Sequence, residues 1–218
     1  MASMYDTIME LPLFKGIGVD QLSALLEKTS LEFLNFEPSS LIFEKQQPVN
    51  SIDFILKGSV KVSHVNDEND VVIEESIGKG NMIGANHMYG LQTKYNAIIT
   101  AETPVSLLRI TKEQYRRILL SDEIYLINYL NYLSAGVQRA SSYLLSKRNF
   151  GVETAIGLII KNLISPMAEE VSLIGSDVSL SSFLNVSLSD FQVWVEEKGK
   201  EVVFAEGSNK RLSLVLKR

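Results

Sequence analysis

The sequence contains no cysteine and only two histidines, His64 and His87, in 218 residues. The missing cysteine excludes disulfides, thiolate nucleophiles and cysteine-held zinc or iron–sulfur centres. Two histidines are too few for the tight His/Glu cluster of a metal-dependent β-barrel enzyme. With no carboxylate dyad, serine–histidine pair or phosphate-binding loop to defend, the expectation is a protein that is not an enzyme. Long apolar runs are missing as well. None approaches the ~20 residues needed to cross a bilayer, and the opening MASMYDTIMELPLF has no basic stretch followed by an apolar one. A soluble, cytoplasmic protein with no membrane partner is expected. Basic charge is also scarce: the net charge is −5, residues 1–150 carry 14 basic and 17 acidic side chains, and residues 151–218 carry 7 and 9. Neither part is built for strong non-specific binding to a polyanion, so local charge has to decide.

What is present is an ordinary globular composition, 45% hydrophobic and 22% charged. The first ~30 residues read as helical, with Leu22, Leu25 and Leu26 in an apolar stripe and Asp20 as the expected N-cap. Between Leu31 and Ile110 short runs rich in Val, Ile and Phe (LEFLNF, LIFEK, SIDFILKG, SVKVSHV, VVIEES, NAIITAE, VSLLRI) alternate with Pro, Gly and Asp. Such spacing predicts an antiparallel sandwich or barrel. Within residues 59–65 the alternation places Val60, Val62 and Val65 on one side. After Thr111 the period becomes helical. Leu126, Leu130, Leu133, Val137, Ala140 and Leu144 are spaced 4, 3, 4, 3 and 4, the seam of a helix that pairs with another. Tyr125, Tyr129, Tyr132 and Tyr143 lie on a neighbouring flank, so this helix is expected to cover both a partner chain and its own β-domain; a single core helix is the alternative.

The KRNFG stretch at residues 147–151 breaks the pattern and marks the expected boundary between residues 1–149, with a dimerisation helix at about 112–147, and residues 150–218. The second part reads as a helix at 154–164, a stop at Pro166, a strand at 171–174, helices at 176–184 and 187–198, and strands at 201–206 and 211–216 around Gly207-Ser208-Asn209. Helix, helix–turn–helix and hairpin predict a winged helix. The fold class is α+β: an N-terminal β-roll, a long helix and a C-terminal winged helix–turn–helix.

Three motifs carry a resemblance: LPLFKGIGVDQLSALL (11–26), FILKGSVKV (54–62) and GKGNMIG (78–84). With the heptad seam, they resemble the cyclic-AMP receptor/fumarate-nitrate regulator (CRP/FNR) family of dimeric bacterial-type transcription factors. The resemblance implies a β-roll of the cyclic-nucleotide-binding kind, a homodimer, DNA as a partner and a small-molecule effector. Members that bind cyclic AMP place a glutamate on the ribose and an arginine on the cyclic phosphate, and a buried phosphate needs such a partner. Those positions hold Ala85 and Tyr95 here, and strand alternation points Lys94 to the opposite face. Another effector is therefore expected, near Ile83, Gly84, Ala85, Asn86, His87, Tyr95, Asn96 and Ala97, with Tyr129 and Tyr132 from the long helix. No cofactor is expected; His87, beside the ligand loop, leaves haem open, and His64 reads as a solvated residue near a hairpin end.

At the other end Ser176 or Asp177 should cap the first helix and Ser187 the second, with Asp190 as capping partner. The resemblance implies arginines that read guanine edges, but Leu188 and Val193 stand at those positions. Residues 187–201 carry a net −2. The remaining candidates for DNA contact are Ser187, Leu188, Ser189 and Gln192 on the helix, Lys210 and Arg211 on the wing, and Lys217 and Arg218 at the end. The rival to a regulator is a dimeric ligand-binding or scaffold protein of the same fold without sequence-specific DNA binding.

Overall fold

A computed structural model describes residues 4–29, 31–66, 70–145, 151–165, 168–206 and 209–215. In chain order these form α1 (Met4–Met9), a 3-10 turn (Pro12–Phe14), α2 (Val19–Lys28), β1 (Glu32–Phe36), β2 (Leu41–Phe43), β3 (Ser51–Lys57), β4 (Val60–Asn66) and β5 (Val71–Ile77). Then come β6 (Met82–Ile83), a 3-10 turn (Ala85–His87), β7 (Ile98–Ala101), β8 (Val105–Thr111), α3 (Lys112–Ser121) and α4 (Glu123–Leu145). The rest is α5 (Val152–Asn162), β9 (Ala168–Gly175), α6 (Asp177–Leu184), α7 (Leu188–Val202), β10 (Val203–Glu206) and β11 (Asn209–Val215). The architecture is α+β, as the alternating patterns require. Parts of the expected boundary at 147–151, the stop at Pro166 and the turn at Gly207-Ser208 fall outside the described residues, as do Lys217 and Arg218.

Packing groups the chain into two units that cut across chain order: Met1–Val60 with Gly78–Gly136, and Lys61–Ile77 with Val137–Arg218. In the first, β1, β8, β3 and β6 form an antiparallel sheet in that order and β2 pairs with β7. Leu22, Ile52, Phe54, Leu107 and Leu108 are fully buried in this unit, and such burial is the main favourable term in folding. The strand change after β3 is made at Gly58, whose φ of 79° lies in the left-handed region. A side chain there would put Cβ 2.3 Å from the Pro104 carbonyl oxygen.

Three local expectations are corrected. The cap of α2 is Gly18, not Asp20, because Gln21 Oε1 accepts the Gly18 N–H at 2.9 Å and fixes the helix start two residues earlier. The helix expected over 112–147 is two helices. Asp122, at φ −156° and ψ 142°, stops α3, and its carboxylate accepts the Ile124 N–H at 3.0 Å to start α4. Val65 is exposed, on the face opposite buried Val60; with a period of two, odd and even residues of β4 cannot share a side.

In the second unit the strands run β10, β11, β9, β5, β4. β11 pairs antiparallel with β9 from Lys210↔Gly175 to Val215↔Glu170. The other edge of β9 pairs antiparallel with β5, with Val72 opposite Ile174 and Glu74 opposite Ser172. Val71, Val171, Leu173, Leu180, Leu184, Phe191 and Leu212 are buried on the α6–α7 side of this sheet. Among the described residues, no helix is long and apolar enough to cross a membrane.

Candidate functional site

Gly84 ends β6 in the left-handed region, with φ 84°. It leads into the 3-10 turn that carries Ala85, Asn86 and His87. A Cβ at Gly84 would meet the Ser51 carbonyl oxygen at 2.9 Å and Tyr95 Oη at 3.1 Å, so glycine lets the loop close against β3 and the Tyr95 phenol. Ile83, Ala85, Tyr95 and Ala97 are buried, whereas Asn86 and Asn96 are exposed. His87 ties the two halves of the site together. Its Nδ1 lies 3.3 Å from the Gln92 carbonyl oxygen and its Nε2 3.2 Å from Asn96 Oδ1. Each ring nitrogen thus faces a polar neighbour, so a haem iron binding here would have to displace Gln92 or Asn96. Tyr129 Oη donates to the Ala85 carbonyl oxygen at 2.9 Å, and Tyr129 packs edge-on against Tyr115 and Tyr89. Burial and neighbouring tyrosines push the Tyr129 phenol up to about 12, which keeps it a neutral donor. Tyr132, half-buried one turn on, interacts electrostatically with Tyr129.

Behind the loop lies a polar cluster that sequence reasoning missed. Arg109 Nε donates to Asp53 Oδ1 at 2.6 Å, and Ser51 Oγ donates to Asp53 Oδ2 at 2.9 Å. Asp53 is wholly buried, and burial raises its carboxyl above the ordinary value against the pull of Arg109. The Arg109 guanidinium lies 5.4 Å over the Phe43 ring, which stacks on Tyr95 with centroids 4.3 Å apart. Burial, then the Asp53 charge, pushes the Tyr95 phenol well above its ordinary value. Its Oη lies beside the Ser51 hydroxyl, which is already committed to Asp53, and makes no well-aligned hydrogen bond among the described residues. The cation that acts on Tyr95 is thus neutralised by its own carboxylate, and the site offers a phenol where a phosphate would need a free positive charge.

The other candidates lie on α4 and in the second unit. Leu126, Leu130 (46%), Val137 (66%) and Ala140 are exposed on α4 while Tyr125 and Tyr129 are buried; Leu133 is half-buried. The side chains of Tyr143 and Leu144 fall outside the described ones. Ser176 Oγ accepts the Ser179 N–H at 3.1 Å and caps α6. Asn185, at φ 56° and ψ 46°, turns the chain, and Ser187 Oγ accepts the Asp190 N–H at 3.0 Å to start α7. Phe191 is buried and stacks on half-buried Trp194. Leu188, Ser189, Gln192, Val193 (55%), Glu196 and Glu197 are exposed. Arg211 Nη1 donates to Glu74 Oε2 at 2.9 Å; the Lys210 side chain is outside the described ones. His64 sits in mid-strand rather than in solvent at a hairpin end, 3.5 Å from Glu75 Oε1.

Residues 33–122 match the family model of the cyclic nucleotide-binding domain. Solved structures agree on the fold. The catabolite activator protein of Thermus thermophilus is 16% identical, with 92% of this chain and 93% of that one covered at a TM-score of 0.54. The N-terminal domain of a transcriptional regulator from Streptomyces coelicolor A3(2) is 17% identical, with 65% and 97% covered and a TM-score of 0.51. A transcriptional regulator from Thermotoga maritima is 20% identical, with 58% and 98% covered and a TM-score of 0.50. No curated protein sequence matches. The resemblance drawn from the 54–62 and 78–84 motifs is thereby borne out, since both lie within the matched domain. Within that domain, the loop from Gly84 to Ala97 and the Ser51–Asp53–Arg109 cluster form one neighbourhood, and β4 and β5 belong to the matched sequence although they pack in the second unit.

Proposed function

We propose that this protein is a homodimeric DNA-binding transcriptional regulator of the CRP/FNR type whose β-roll senses a small effector other than cyclic AMP. The observation that carries the reading is the pair α6–α7, capped at Ser176 and Ser187 around left-handed Asn185, behind a cyclic nucleotide-binding domain on the same chain. A capped helix pair joined by a tight turn, followed by the β10–β11 hairpin, supports the reading as a winged helix–turn–helix. The exposed apolar residues of α4 supply a surface for a second copy. Ala85 and Tyr95 bear no charge for a cyclic phosphate, so the effector is largely apolar or hydrogen-bonding, with Tyr95 Oη as a donor for it. The decisive experiment is a retarded-gel assay with genomic DNA fragments at low salt, paired with light scattering. A dimer mass and a retarded band are expected; a monomer overturns the assembly, and no band at low salt overturns DNA binding.

A second reading, a dimeric ligand-binding or scaffold protein, is favoured by one specific feature. The exposed face of α7 carries Leu188, Val193, Glu196 and Glu197 where a base-reading helix carries cations. Absence of DNA binding with an intact dimer would select it.

A further inference from the structure

The second unit contains a contact that the reading as a regulator does not require. β5, a strand of the sequence matched to the cyclic nucleotide-binding domain, completes the sheet of the C-terminal segment by pairing along β9 from Val72↔Ile174 to Ile77↔Ala168. Its two adjacent carboxylates point to opposite faces, and each holds a C-terminal group. Glu74 accepts from Arg211 at 2.9 Å, with Lys61 Nζ at 3.5 Å and Ser63 Oγ at 3.3 Å on the same carboxylate. Glu75, 7% exposed, accepts the Ser165 N–H at 2.7 Å in the link between α5 and β9. Strand pairing of this length fixes a register through main-chain hydrogen bonds. The Glu74 contact removes from use one of the few cations near the hairpin of β10 and β11.

We propose that this arrangement is an autoinhibitory latch: β5 clasps β9, and Glu74 neutralises Arg211, so that the winged helix is held away from DNA until the clasp opens. The proposal rests on the reading of residues 150–218 as DNA-binding. A phosphate and Glu74 compete for the same guanidinium, so Arg211 cannot serve both. Opening costs the strand pairing, which sets the free energy an effector or DNA must supply by differential binding.

The absence of cysteine from the chain makes the clasp testable by itself. Ser76 and Glu170 are direct cross-strand partners, and such pairs stand ~4.5–5.5 Å apart at Cα, within disulfide reach. The full-length double variant Ser76→Cys, Glu170→Cys should form an intramolecular disulfide under mild oxidant. A folded variant, checked by circular dichroism, that stays reduced would overturn the clasp. Binding to sheared genomic DNA at low salt should then be about tenfold weaker for the oxidised than for the reduced form, and about tenfold tighter for Glu74→Gln than for wild type. Equal affinities across these forms, with DNA bound by all of them, would overturn the latch while leaving the regulator reading intact. If no form binds DNA while the disulfide still forms, the regulator reading fails and the latch, as a control on DNA binding, fails with it. Hydrogen exchange gives a second readout that needs no DNA: β9 amides should exchange faster in Glu74→Gln than in wild type, and equal protection would count against the clasp.

Discussion

At the scale of single residues, two glycines set the backbone of the β-strand turns. Gly58 and Gly84 both stand in sequence contexts that call for a turn, and both adopt positive φ. Gly58→Ala should cost at least about 2 kcal/mol, from the left-handed penalty and the collision with Pro104, and a urea melt measures it. An unchanged midpoint would show that the turn can relax. The Asp53–Arg109 pair was not legible, because 56 positions separate the partners and only the β3–β8 register sets Asp53 opposite Arg109. Its carboxyl gives a pH prediction. Burial raises the folded-state pKa above the ordinary 3.8, so folded Asp53 holds its proton more tightly than the unfolded chain does. Its stabilising contribution is then complete below about 3.8 and is lost as pH rises through the raised value. The stability gap between wild type and Asp53→Asn should therefore be largest in acid and shrink towards neutrality. A gap that widens with pH would show that Arg109, not burial, governs this group.

At the scale of elements, periodicity named most strands and helices, and failures have specific causes. The break between α3 and α4 was written in Ser121-Asp122-Glu123, a helix-start signal that the continuous apolar period masked. β6, with two residues, is too short to show a period. The pairing of β5 with β9 could not be read at all, since alternation says which face of a strand is apolar and not which strand lies beside it. On the heptad seam of α4, Leu126, Leu130 and Val137 are exposed and Leu133 is half-buried, which supplies the apolar face that the proposed dimer would cover. That face makes an element-scale prediction. Val137→Glu replaces an apolar seam residue that is 66% exposed, so protomer stability should hold. Two buried charges per dimer should raise the dissociation constant about a hundredfold, roughly 3 kcal/mol, and analytical ultracentrifugation reads the shift to monomer. A dimer unaffected by this change would place the interface elsewhere.

At the scale of the whole molecule, charge bears on the proposed reading as a dimeric DNA-binding regulator. The sequence carries an excess of acid in both parts, and α7 presents Glu196 and Glu197 on its exposed face. On that reading, affinity would rest on a few basic side chains meeting phosphates, a mode whose strength falls with salt at a slope of ~0.9 per phosphate neutralised. The structure adds that Arg211 is held by Glu74, so wild type should show a shallower slope than its cations alone would give. Releasing one arginine per protomer in a dimer frees two. Glu74→Gln should steepen the log–log dependence of DNA affinity on salt by about 2, measured by fluorescence anisotropy over a salt series. Arg211→Ala in the Glu74→Gln background should return the slope to the wild-type value. Gln192→Ala, on the exposed face of α7, should alter the preference among DNA sequences and leave the slope unchanged, because a base contact neutralises no phosphate. Identical slopes in wild type and Glu74→Gln would mean that Arg211 never reaches the backbone, and would move the phosphate-contacting surface off β11 altogether.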